Sequence, residues 1–280
     1  MCQTVGAGLQ TRPRARRGLS QCPGRTRMNL IALTVDEVGR DGRVTLDAAR
    51  AKHLLNVLDV TPGQAVRVGV IDGPLGTGTV VAITGSQVTL QCQFDDRPPP
   101  RPRVDLMLAL PRPKVMRRLW AQLAAIGVGR IMLTNAGKVE RNYFDTHLLA
   151  PEIYRPLLVE GLQQARDTHV PVVTVHRRFR PFVEDELDLL CPQRTRLVAD
   201  PGATRRLSDV LRFRAGRVAS PGDERVLLAI GPEGGWNAFE LKLLESRGFQ
   251  AVSAGSRTLR TDTACIALLA VMYEAVTGRP

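Results

Sequence analysis

The chain is poor in the residue patterns that hold metals or crosslinks. Its five cysteines (Cys2, Cys22, Cys92, Cys191 and Cys265) are odd in number, and no two have C-x-x-C spacing. A zinc ribbon and a disulfide framework are thereby disfavoured, and a reducing compartment, the cytoplasm, is expected. His53, His147, His169 and His176 form no H-E-x-x-H or related pattern, so no metal is expected. No apolar run approaches the ~20 residues that span a bilayer. The longest, Ala264–Met272, has the length of a helix core, and no membrane association is expected. Gly73-Pro-Leu-Gly-Thr-Gly78 lacks the Lys-Ser/Thr of a phosphate loop and reads as a hairpin turn. No G-x-G-x-G follows an early α/β strand, which disfavours a Rossmann-type cofactor site. No internal repeat is visible.

Acidic residues are also in short supply, 27 against 39 lysines and arginines, for a net charge of +12. Six arginines and no acid lie in residues 1–27, so the rest of the chain carries +6. A moderately basic body suits a polyanionic partner, because basic groups that neutralise phosphates release condensed counterions. Residues 1–27 have no continuous apolar segment of the secretory type and are expected to be a disordered extension, in the manner of a transit peptide or an over-extended start. The whole chain is 44% apolar, and the part beyond residue 27 has enough material for two cores.

Residues 28–96 read as short strands (Asn29–Val35, Ala65–Ile71, Thr77–Thr84, Gln87–Phe94) around one amphipathic helix, Asp47–Leu58, with Ala51, Leu54, Leu55 and Leu58 on one face. That pattern suggests a small RNA-binding β-barrel. Arg97–Arg103 (RPPPRPR) forms a stiff polyproline linker. Residues 104–280 alternate between apolar strands and longer helices. Strands are expected at Val104–Leu110, Ile131–Leu133, Val172–His176, Arg196–Ala199 and Val226–Ile230, and helices at Pro113–Ile126, Pro151–Arg166, Phe239–Ser246 and Thr263–Val276. The fold class is therefore α/β, with a mainly parallel sheet in the second domain.

Two segments carry chemistry. In Leu227-Leu-Ala-Ile-Gly-Pro-Glu-Gly-Gly-Trp236 a buried strand runs into Gly231, Pro232, Glu233, Gly234 and Gly235 just before a helix. Glycines permit positive φ and close backbone approach, which a loop contacting an adenosyl ligand needs; an ordinary strand-to-helix turn is the alternative. The second segment, Val252-Ser-Ala-Gly-Ser-Arg-Thr-Leu-Arg-Thr-Asp-Thr-Ala264, places Arg257 and Arg260 before the closing helix. Arginines beside a helix start, already an electropositive place, suggest that an anion is expected there. Asp262 is either that helix's N-cap or a functional carboxylate.

G-P-E-G-G-x-x-x-F-E, followed about 20 residues later by G-x-R-x-L-R-T-D-T-A, resembles the carboxy-terminal signature of the 16S rRNA uracil-N3 methyltransferases of the SPOUT superfamily. Leu110-Pro-Arg-Pro-Lys-Val-Met-Arg-Arg118 and Ile126-Gly-Val-Gly-Arg-Ile131 are similar to that family's basic helix and L-G-V turn, and Lys52-His-Leu-Leu-Asn-Val-Leu58 to its amino-terminal domain. The resemblance implies a PUA-like barrel, a trefoil-knotted carboxy-terminal domain, a homodimer, S-adenosylmethionine as cofactor and ribosomal RNA of the small subunit as substrate. It implies cofactor contacts from Gly231, Pro232, Gly234, Ser253, Gly255, Leu259, Thr261 and Ala264. Arg257 or Arg260 would stabilise charge on the uracil oxygens or bind phosphate, and Glu233 or Asp262 would act as base. Lys114, Arg117 and Arg118 would contact RNA. The chain departs from the pattern at Ala125-Ile-Gly-Val128, at Gln163-Gln-Ala-Arg-Asp167 and at Asp262, where the family has Glu. A ribose 2′-O or tRNA methyltransferase of the same fold, and a non-catalytic RNA-binding relative, are the competing readings.

Overall fold

The computed structural model describes residues 30–192, 195–215 and 225–277. The expected extension at 1–27 lies outside them. Among the described residues there are two sheets, each with its own hydrophobic cluster.

The first sheet contains β1 (Ile31–Leu33), β2 (Arg43–Thr45), β3 (Ala65–Val70), β4 (Leu75–Thr84) and β5 (Gln87–Phe94), in the order β1-β3-β4-β5-β2. All pairs are antiparallel except β1 with β3. In β5, Val88, Leu90 and Cys92 point inward at the strand period of two. Helix α1 (Ala48–Val57) starts where Asp47 accepts the Arg50 backbone N–H at 2.9 Å, and it buries Ala51 and Leu54 against this sheet, with Leu55 and Leu58 half-buried beside them. The Gly73-Pro74 segment is the β3–β4 turn, closed by Val70 N–H to Pro74 O at 3.0 Å.

The second sheet has six strands, all paired parallel, in the order β11-β9-β10-β6-β7-β8. They are β6 (Val104–Ala109), β7 (Val128–Thr134), β8 (Val172–His176), β9 (Thr195–Ala199), β10 (Val226–Ile230) and β11 (Phe249–Val252). The central strands β6 and β10 are buried along their whole length, as a sheet covered on both faces requires. Helix α2 (Pro113–Ile126) buries Met116, Leu119, Trp120, Leu123 and Ala124, spaced as one face of a 3.6-residue helix. Pro113 opens it, and Gly127, at φ +88, stops it. Helix α3 (Pro151–Ala165) approaches α2 so closely at Gly161 that a Cβ there would lie 2.0 Å from the Ala121 carbonyl oxygen.

After β8 come two short helices, α4 (Phe179–Pro181) and α5 (Leu187–Leu190), joined by a π turn at Phe182–Glu186. Helices α6 (Leu207–Ala215), α7 (Ala238–Ser246) and α8 (Thr261–Thr277) complete the described elements. The two sheets meet along a hydrogen-bonded seam. Leu30 N–H donates to Gln163 O at 2.9 Å, Asp72 N–H to Thr168 O at 2.8 Å, and the Thr168 hydroxyl to Gly73 O at 2.6 Å. Segment 163–168, which contains the departing stretch Gln163–Asp167, therefore contributes to this seam. Among the described residues no helix is long and apolar enough to cross a membrane.

Three readings are corrected. Strands β2 and β11 and helices α4, α5 and α6 were not expected; each is short and held by long-range pairing or packing. The amino-terminal strand is cut to three residues because Val35–Glu37 turns into a 3-10 helix, with the Glu37 side chain accepting the Thr34 N–H at 2.8 Å. Asp262 is not the α8 N-cap. The Arg260 carbonyl receives the first helical bond, from Ala264 N–H at 2.8 Å, and Asp262 stands inside the first turn.

Candidate active site

A parallel sheet sends all its strands out along one edge, and crevices open between the loops there. Loops 200–206, 231–237 and 253–260, which follow β9, β10 and β11, enclose a cavity of about 330 Å³, the lower range of small-molecule sites. Ala199, Ile230, Val252, Leu259, Ala264 and Leu268 give it apolar walls, and Asp200, Glu233 and Arg257 bring charge.

Each loop is shaped by its sequence. In the β10 loop, Gly231 has no side chain because the Trp236 indole occupies that space, 3.1 Å from where a Cβ would be. Gly235, at φ +69, returns its N–H to Pro232 O at 2.8 Å and closes a turn. Asn237 and Glu240 then cap α7 reciprocally, at 2.9 and 2.8 Å. Glu240 is only 3% exposed, and its second oxygen accepts the Gly137 N–H at 2.6 Å, which ties the β10 loop to the loop after β7. Lys138 crosses the other way and donates to Gly234 O at 2.6 Å. Glu233 is exposed and receives a long bond, 3.4 Å, from the Arg112 N–H at the start of α2.

In the β11 loop Gly255 sits at φ +121, a backbone region that side chains avoid. Ser253 donates its N–H to Arg205 O at 2.9 Å and accepts the Leu207 N–H at 3.0 Å, so it fastens the β9 loop to the β11 loop. In the β9 loop, Asp200 donates its N–H to Val252 O at 2.9 Å and uses a carboxylate oxygen to accept the Gly202 N–H at 3.0 Å.

Of the residues expected at the site, Gly231, Pro232, Glu233, Gly234, Gly255, Arg257, Leu259, Thr261 and Ala264 line one cavity. Ser253 is buried behind it. Arg260 is exposed at the start of α8, and Asp262 is paired with Arg118 of α2 at 3.3 Å, both away from the lining. Lys114, Arg117 and Arg118 are exposed on α2. Cys265, beneath the loop in α8, is fully buried, and that burial pushes its thiol pKa up, so it remains neutral. Sequence reasoning missed Asp200, Trp236, Lys138 and Glu240. Asp-Pro-Gly after a buried strand signals a turn but names no role, and the contacts of Trp236 to Phe179, Glu240 to Gly137 and Lys138 to Gly234 join loops far apart in sequence.

A fit to an adenosyl group is visible in the side chains themselves. The cavity has apolar walls for a flat base, carboxylates for hydroxyl or ammonium donors, and the Trp236 Nε1, a buried donor without a partner.

The RNA methyltransferase domain family matches residues 98–273. The ribosomal RNA small subunit methyltransferase E of Treponema pallidum is 30% identical over 253 residues, covering 88% of this chain and 90% of its own. The chain belongs to this rRNA methyltransferase family. The Synechocystis member is 28% identical over 240 residues, 82% of this chain and 72% of that one. Among solved structures, the Neisseria gonorrhoeae member bound to S-adenosyl methionine superposes with a TM-score of 0.65 at 23% identity, covering 88% of this chain and 96% of that chain. A Legionella pneumophila methyltransferase in complex with the same cofactor gives 0.65 at 19%, with 89% and 98% covered. These two structural likenesses bear on the fold.

Proposed function

We propose that this protein is an S-adenosylmethionine-dependent methyltransferase of 16S ribosomal RNA that methylates a uracil at N3, acting as a homodimer. The observation that carries the reading is the convergence of both glycine segments, 231–235 and 253–264, on one cavity with Arg257 in its wall. Loops 200–206, 231–237 and 253–260 would hold the cofactor, with backbone groups at Gly231, Gly234 and Gly255 and apolar contact from Leu259, Ala264 and Leu268. The cofactor supplies an electrophilic methyl group on a sulfonium.

The chain's own residues have the remaining tasks. Uracil N3 carries a proton, so the imide must lose it and its oxygens must bear charge. Arg257, in the cavity wall, is placed to stabilise that charge. Glu233, also in the wall and steadied by the Arg112 N–H, is the favoured base. Arg260 and Asp262 stand at the rim, where phosphate contact and the Arg118 pairing are their roles. N3 lies on the pairing edge, so the target base must be unpaired or extruded.

Residues 28–96 form the PUA-like, RNA-binding unit of this reading, joined by the linker 97–103 to a catalytic domain at 104–280. The β9–β11 loops are threaded as a trefoil knot. Support for the dimer comes from α8, whose outer face exposes Ala267, Ala270 and Val271. Incubation of the purified protein with tritiated S-adenosylmethionine and 16S rRNA, followed by mass mapping, tests the proposal. N3-methyluridine is expected. Label on a ribose, or transfer to tRNA instead, overturns the assignment of the target.

A further inference from the structure

We infer that the exit of β8, the segment Arg177-Arg-Phe-Arg180, is an RNA-backbone contact surface packed against the wall of the cofactor cavity. The inference rests on the RNA methyltransferase reading and gives the substrate a path. All six strands of the sheet run parallel, so the ends of β7 and β8 face the same side as the cavity. Phe179 packs against Trp236 with ring centroids 5.5 Å apart, and Trp236 lines the cavity. The segment is therefore fastened to the site itself.

Local contacts hold it in place, among them an exposed Arg177–Asp145 pair at 3.1 Å. Arg177 donates to Phe144 O at 2.8 Å and lies over the Phe144 ring, 5.7 Å from its centroid, which joins the β8 exit to the 3-10 turn Arg141–Asp145 after β7. His176 stacks on Phe182 at 3.8 Å. With the backbone pinned, Arg141, Arg178 and Arg180 remain exposed. Arg180 pairs with Glu184 at 2.9 Å in an i,i+4 arrangement that is open to water on the arginine side. Exposed pairs of this kind are weak, so a phosphate replaces the carboxylate at little cost. Lys138, whose ammonium reaches Gly234 O, continues the basic line to the cavity mouth.

Nucleic-acid affinity comes largely from phosphate neutralisation, and an arginine presents a planar fork of donors that matches a phosphate. Phosphates running along Arg141, Arg178 and Arg180 would lead the strand to the cavity rim, where one extruded base enters.

The experiment compares wild type with Arg178→Ala and with the triple variant Arg141→Ala/Arg178→Ala/Arg180→Ala. The readouts are anisotropy with a labelled 16S rRNA fragment over a salt series, and calorimetric titration with S-adenosylmethionine. The expected result is a several-fold weaker RNA affinity for the single variant and a roughly 10- to 100-fold loss for the triple. The triple variant's log–log salt slope should fall by about 0.7–0.9 for each phosphate contact removed. Cofactor affinity and melting temperature stay at wild-type values. RNA affinity and salt slope unchanged in the triple variant overturn this inference alone. A wild-type protein that binds the cofactor but no RNA overturns the RNA methyltransferase reading beneath it.

Discussion

The two edges of the six-stranded sheet carry charge in opposite ways. At the edge where the strands begin, charged groups are drawn inside and matched. Asp105 of β6 is completely buried and held by Arg225 through two bonds, one at 3.0 Å, while Arg225 also donates to Pro102 O at 3.0 Å. Arg196 of β9, also buried, reaches Asp188 at 2.6 Å, Cys191 O at 2.7 Å and Arg247 O at 3.0 Å. At the edge where the strands end, arginines and lysines are exposed, and the loops are made of glycine and proline. Buried charge is tolerated only when paired and hydrogen-bonded. Exposed, loosely paired charge is what a polyanion can use. One edge orders strands, and the other holds the cavity of the proposed site.

Variants that separate stability from activity sharpen that contrast. The largest effect belongs to the ligand edge: Arg257→Ala should lower kcat by about 100- to 1,000-fold, as loss of one preorganised charge donor does, with the melting temperature unchanged. Steady-state methyl transfer and calorimetry read the two quantities. Next, Asp105→Ala at the opposite edge strands Arg225 beside an empty site and should cost about 3 kcal/mol of folding stability in a denaturant titration, while the cofactor KM of the folded protein stays put. Gly161→Ala, which drives a Cβ into the Ala121 carbonyl, should cost on the order of 1–3 kcal/mol by the same assay.

A smaller and opposite effect is expected at Arg166, which ends α3 at φ +61. Glycine adopts that conformation without strain, so Arg166→Gly should stabilise by about 0.5–1 kcal/mol. The least effect concerns pH. Burial lowers the His176 pKa below its usual 6.5, against the opposing pull of Glu186. The unfolded chain then binds the proton more readily than the folded one. This contribution to stability is present above about pH 6.5 and declines as the pH falls through that value towards the lower folded pKa. Denaturant titrations between pH 7.5 and 5 should show the decline shrink in His176→Asn.

Much of this was legible in the sequence, for reasons that differ by element. Helix α2 keeps a clean 3.6-residue apolar face between Pro113 and Gly127, and its boundaries fall where those residues put them. Strand β8 follows Pro171 and β10 runs into Gly231-Pro232, and both were equally clear. Strand β11 has four residues and β2 three, too few to show a period; they exist because β9 and β5 pair with them. The α4–α5 stretch contains a π turn, which no simple periodicity anticipates. In the site, Gly231, Gly234 and Gly255 could be read because glycine reports on the backbone alone. Glu240 and Lys138 could not, since their partners Gly137 and Gly234 lie 103 and 96 positions away. Ser253 was assigned to ligand contact, but its bonds go to the neighbouring loop.

The account depends most on the cavity at the strand ends being a cofactor site shaped by backbone that only glycine can adopt. Calorimetric titration of S-adenosylmethionine into wild type and Gly255→Val measures this directly. Strain of about 1–3 kcal/mol at φ +121 should weaken binding by roughly 10- to 100-fold, with the global melting temperature nearly unchanged. Equal affinity for the two proteins, or no binding by wild type at millimolar cofactor, would contradict it.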